Sequence, residues 1–173
     1  MLKNTLSNAL TKQVNAELYS SYLYLAMSAY CDREGFKGFA NWLHVQAQEE
    51  LAHAMHLYEY ILDRGVCPQL LDIKAPKSDF GNMQLLFEQV LSHEQLITSL
   101  INEIATLALG ESDHATYGFI QWYINEQVEE EASAELILQK VKHIGENTAM
   151  LLTLDTEMGA RVFVNPFPAA AGA

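Results

Sequence analysis

The fold turns on one stretch: Gly65-Val66-Cys67-Pro68-Gln69-Leu70-Leu71-Asp72-Ile73-Lys74-Ala75-Pro76-Lys77-Ser78-Asp79-Phe80. Its apolar residues follow no 3.6-residue period, and Pro68 and Pro76 fix φ and remove backbone donors, so it reads as extended chain. The other two prolines are Pro166 and Pro168, which leaves Met1 to Cys67 and Lys77 to Asn165 free of the strongest helix breaker. Helical spacing predicts α1 over residues 5–34, α2 over 36–64, α3 over 81–109 with Ser78 or Asp79 as N-cap, α4 over 112–143 and a shorter α5 over 146–159. Gly35, Gly65, Gly110 and Gly145 stand where helix ends want a left-handed residue.

Helices near 30 residues are each roughly 45 Å long. The brief turns at Gly35 and Gly110 make α1–α2 and α3–α4 antiparallel hairpins. Sixteen extended residues can run the length of such a helix, so α2 and α3 are parallel and joined by a crossover. The expectation is an all-α four-helix bundle with a long crossover and a short fifth, C-terminal helix.

Composition narrows the function. Half of the 173 residues are hydrophobic and 18% are charged, which suits one packed domain. Acidic residues number 22 against 10 basic, a net charge of −12. Such a surface repels nucleic acid and anionic membranes and attracts cations. Cys31 and Cys67 form no CxxC pair, and neither a signal core nor an apolar membrane span is present, so a cytoplasmic location is expected.

The chemistry lies in polar groups that interrupt apolar stripes. They are Glu17 after Leu10 and Val14, Glu50 and His53 between Ala47 and Leu57, Glu94 between Leu91 and Ile97, and Gln127 and Glu130 between Tyr123 and Ala134. A buried carboxylate without a counter-charge costs several kcal/mol, so four helices doing this together call for a cation. The spacing aligns them. Glu17 to Glu50 and Glu94 to Gln127 are both 33 positions, and Glu50-x-x-His53 is repeated as Gln127-x-x-Glu130. A Glu on each of two helices and Glu-x-x-His on the others is the donor pattern of di-iron and di-manganese carboxylate bundles. Mostly oxygen ligation with one imidazole and no thiolate suits iron, manganese or zinc. Glu126, Glu129 and Glu130 share one side of α4, and Glu49 adjoins Glu50, which predicts a third, all-oxygen cation site.

The strings Glu17-Leu18-Tyr19-Ser20-Ser21, Ala47-Gln48-Glu49-Glu50-Leu51-Ala52-His53, His93-Glu94-Gln95-Leu96-Ile97 and Gln121-Trp122-Tyr123-Ile124-Asn125-Glu126-Gln127 closely resemble bacterial haem-free ferritins. The resemblance implies a ferritin-like domain over 1–160, with 161–173 a tail of no assigned role, in a homo-oligomeric iron-storage shell of 24 subunits. It also implies a ferroxidase centre that oxidises ferrous iron with dioxygen, the ferric product being stored as a mineral. On that resemblance Glu17, Glu50 and His53 bind the first iron, and Glu50, Glu94 and Glu130 the second, with Glu50 bridging. Gln127 orients ligands or oxygen, Tyr24 supplies an electron, and Glu49, Glu126, Glu129 and Glu130 form the third site. Haem is not expected, because Leu51 stands where haem-binding relatives place methionine. Glu111 and Asp113 either cap α4 or line a cation path between subunits. Ala149, Met150, Leu151, Leu152, Leu154 and Met158 are expected to bury α5 against symmetry mates, and the tail to dock rather than hang free. Two other classes share these features: a di-iron oxygenase acting on an organic substrate, and a metal-free structural bundle.

Overall fold

The computed structural model describes residues 2–167. Its helices are α1 (Asn4–Arg33), α2 (Lys37–Asp63), α3 (Met83–Gly110), α4 (His114–Ile144) and α5 (Thr148–Met158), and the described residues include no strand. Residues 64–82 are non-helical, as the two prolines require.

Local chemistry places the ends. Gly35, Gly65 and Gly145 carry positive φ after their helices. Gly110 does not: α3 runs through it, and Ser112 takes the left-handed turn at φ 58°. Neither Ser78 nor Asp79 caps α3. Asp79 instead accepts the Gly81 N–H at 3.0 Å, Gly81 breaks the helical course at φ 77°, and Asn82 caps the helix by accepting from Leu85 N. Asp113 and Asn147 cap α4 and α5 in the same way, through the N–H groups of Thr116 and Met150.

Side-chain contacts fix the directions. Tyr30 bonds the Gly81 carbonyl, Ser20 meets His93 at 2.8 Å, and Lys3 reaches the Glu111 carbonyl at 3.4 Å, so α1 and α3 are antiparallel. Gln46 meets Glu130, Tyr60 meets Thr116 and Arg64 pairs with Asp113, so α2 and α4 are antiparallel too. With α1 packed on α2 and α3 on α4, the order around the bundle is α1–α2–α4–α3, and α2 is parallel to α3. That is the crossover topology expected from the proline-bearing segment.

The apolar interior falls into two clusters. One includes Tyr24, Met27, Phe39, Phe87 and Ile137; the other includes Leu6, Leu10, Leu57, Ile101 and Ile120. A layer of buried polar side chains from all four long helices lies between them along the sequence of each helix.

The fifth helix seats on the start of α2. Asp155 Oδ1 accepts the Phe39 N–H at 2.8 Å and so caps a helix other than its own. Gly38 makes this possible, because a Cβ there would lie 1.5 Å from the Asp155 carbonyl oxygen. Leu154 and Met158 are buried within the chain, whereas Met150 and Leu152 stay exposed. Only part of the apolar face of α5 is therefore left exposed. Beyond it, Asn41 donates to the carbonyls of Gly159 and Arg161, and the chain continues without helix to Phe167. The remaining tail, including Pro168, lies outside the described residues.

Candidate metal centre

The polar layer is built by register. Positions 17, 50, 53, 94, 127 and 130 each fall on the inward face of a long helix, and all six side chains are buried, as is Tyr24. One ligand atom from each of Glu17, Glu50 and His53 lies within 4.8 Å of the others, a spacing one metal ion can span. His53 Nδ1 stands 3.4 Å from Glu50 Oε2. Glu17 Oε2 and His53 Nε2 are buried without any hydrogen-bond partner. Orphaned buried acceptors of this kind are rare, and a cation would satisfy both.

The other two carboxylates belong to the same buried layer and are held by neighbours. Glu94 accepts from the Tyr24 hydroxyl and from Gln127 Nε2, the latter at 3.3 Å. Glu130 accepts from Gln46 Nε2 at 2.8 Å, and the same amide donates to Glu50 at 3.0 Å. Gln13 donates to Glu17 at 2.8 Å.

Protons and charge are unevenly shared. Burial, and after it the charge of Glu50, pushes Glu17 well above the usual carboxylate range. The same two causes raise Glu94 to about 8. Glu130 is raised by burial, then by Glu50 and Glu94. Burial would raise Glu50 as well, but the hydrogen bond and charge of His53 outweigh it and hold Glu50 below its ordinary value. Burial likewise disfavours a charged His53, and the Glu50 carboxylate reverses that. The metal-free centre thus holds one His53–Glu50 pair among carboxyls that burial and the Glu50 charge push toward their neutral form. Divalent cations can replace their protons.

The donor set matches a family. A profile described as a ferritin-like domain fits residues 7–144. The bacterial non-heme ferritin of Staphylococcus aureus is 39% identical over 163 residues, which is 94% of this chain and 98% of that one. Two solved structures superpose with a TM-score of 0.93 each. One is an open-pore ferritin of Archaeoglobus fulgidus, 45% identical and covering 94% of this chain and 99% of that one. The other is a closed form of that ferritin made by site-directed mutagenesis, 46% identical and covering 95% and 100%. The chain belongs to the ferritin family.

Within this ferritin chain the outer carboxylates are less converged than the inner ones. Glu49 and Glu126 are half-buried and Glu129 is exposed. Glu49 bonds the guanidinium of Arg161, and Glu131 accepts from Thr98 on α3 at 2.5 Å. Leu51 and Met55 are both exposed on α2. Asp113 has both oxygens engaged, accepting from Arg64 at 3.1 and 2.7 Å while it caps Thr116, which commits it to holding α2 against α4. Glu111 sits at the C-cap of α3.

Sequence reasoning passed over Gln13, Gln46, His93 and Arg161. Gln13 and Gln46 each precede a ligand carboxylate by four residues and repeat the 33-residue offset of Glu17 and Glu50, a signal that was present. His93 pairs with Ser20 and sits edge-on to Tyr24 at 5.9 Å. Arg161 carried no signal, since only the path of the tail brings it to Glu49.

Proposed function

We propose that this chain is the subunit of an iron-storing ferritin of 24 copies, working in the cytoplasm, that oxidises ferrous iron with dioxygen and keeps the ferric product as a mineral. The observation that carries this is the convergence of Glu17, Glu50 and His53, with Glu17 Oε2 and His53 Nε2 buried and unpartnered.

Ferrous iron is the substrate. The first ion takes Glu17, Glu50 and His53; the second takes Glu50, Glu94 and Glu130. Glu50 is the residue suited to serve both, since it converges with Glu17 and His53 on one side and shares the Gln46 amide with Glu130 on the other. Binding releases the protons held by the buried carboxyls, and each iron then gives one electron to dioxygen. Burial keeps bulk water away from the reacting pair, and the amides of Gln13, Gln46 and Gln127 keep the carboxylates aimed inward. Tyr24, bonded to Glu94, is placed to pass an electron or proton at its hydroxyl. The outer carboxylates Glu49, Glu126 and Glu129 with Glu130 form a third position on the way out.

The net charge of −12 and the exposed Met150 and Leu152 of α5 support an assembled shell that attracts cations. Aerobic addition of ferrous iron to the metal-free protein, followed by sizing, tests the reading. A large particle that consumes oxygen and retains hundreds of ferric ions is expected. A stable monomer or dimer, or oxidation that leaves all the iron as free precipitate, would overturn it.

A further inference from the structure

The segment after α5 reaches the metal centre. Residues 161–167 leave Asn41 near the start of α2 and arrive at His56, alongside the helix. Both ends are anchored. The Arg161 guanidinium lies 4.5 Å from the centre of the Trp42 ring, donates to Gln46 Oε1 at 2.8 Å and bonds Glu49. The Phe167 ring stacks on His56 at 3.7 Å, meets Trp122 at 4.4 Å and stands edge-on 6.1 Å from His53. Gln46 is also the amide that holds Glu50 and Glu130, so one side chain separates the guanidinium from the buried ligands.

We propose that residues 161–167 are a strap over the outer carboxylates, in which Arg161 occupies at Glu49 the place of a third divalent cation. The proposal rests on the reading that Glu49, Glu126, Glu129 and Glu130 bind a cation. Arg161 holds Glu49 through one oxygen, and its positive charge repels a divalent cation placed on the same carboxylate, so filling the outer position favours lifting of the strap. The strap offsets the charge of Glu49 in the outer cluster when cations are scarce and yields when they are abundant. It also closes the outer side of His53 with an apolar ring.

Both tryptophans of the chain touch the strap, Trp42 at one end and Trp122 at the other, so their emission reads its position. The experiment is a zinc titration of the assembled, metal-free protein, followed by calorimetry and tryptophan fluorescence. Wild type is expected to take two ions tightly and a third more weakly, with an emission change confined to the third step. In Arg161→Ala the third step tightens about tenfold or more, since no charge-assisted hydrogen bond is lost on filling, and it brings no emission change. Phe167→Ala frees the far end and tightens that step less. Equal third-step affinity in wild type and Arg161→Ala overturns the strap while keeping the outer site. So does a wild-type third step with silent fluorescence. Two ions in every variant overturns the outer site itself.

Discussion

Gly38→Ala tests how α5 is held. In isolation the substitution favours the first turn of α2, where alanine exceeds glycine in helix propensity by about 0.5–1 kcal/mol. The added Cβ, however, would lie 1.5 Å from the Asp155 carbonyl oxygen and 2.5 Å from its carbon, both backbone atoms that no rotamer change can remove. The cheapest relief is for α5 to lift. That exposes Leu154 and Met158, worth about 3–6 kcal/mol together as an upper figure, and removes the Asp155 cap on Phe39, worth about 1 kcal/mol. The clash therefore outweighs the propensity gain, and a loss of up to about 3–6 kcal/mol per subunit is expected. Amide hydrogen exchange is the right assay because it locates the loss: residues 148–158 should lose most of their protection while α1, α3 and α4 keep theirs. Sizing should show weaker assembly, since α5 carries exposed Met150 and Leu152. Unchanged protection of α5, or a rise in thermal stability, would refute the reasoning.

Glu50→Ala or His53→Ala should abolish the rapid oxygen-dependent phase in stopped-flow oxidation, whereas Glu49→Ala or Glu126→Ala should keep it and slow its regeneration; equal loss in both groups would mean that the two clusters act as one. Gln46→Leu removes the amide shared by Glu50 and Glu130 and should weaken zinc binding at the buried centre about 10- to 100-fold in calorimetric titration, with no loss of helix by circular dichroism. Asp113→Asn breaks the Arg64 pair and should destabilise the chain by about 1 kcal/mol after allowance for solvent screening. Arg64, together with the Thr116 cap, holds the Asp113 carboxyl down at about 2, against an ordinary 3.8. A depressed acid stabilises above its unfolded value, so the gap between wild type and Asp113→Asn should be full above pH 4 and shrink as pH falls towards 2, which acid melts can measure.

The long helices were legible because their information is local: apolar periodicity, four prolines and the glycines that end them. The ligand positions were legible for a related reason. Glu17, Glu50, Glu94 and Glu130 interrupt apolar stripes, and a matched offset in two hairpins puts interruptions at one height. Helix ends were less so, because Asn82 and Ser112 were chosen over Asp79 and Gly110 by the path of the turn rather than by composition. Gly38 reads as an unremarked first-turn residue until Asp155 arrives from more than a hundred positions away. Arg161 and Phe167 belong to an extended segment with no period, so nothing short of the folded path assigns them to Glu49 and His56. The third site was drawn from one helix and one neighbour, and the structure shows one of its acids, Glu49, paired with Arg161.

The two apolar clusters give the subunit a seam. Above and below the carboxylate layer the helices are glued by close packing, while at the layer itself they meet through buried carboxyls, amides and an imidazole. A cation bound there acts as a rivet through the seam. At a hundredfold excess over its dissociation constant, one bound ion adds about 2.7 kcal/mol per subunit to the resistance against unfolding. The melting temperature of the protein then becomes a gauge of its metal content: the metal-free form is the softest the chain takes, and binding hardens each copy from within.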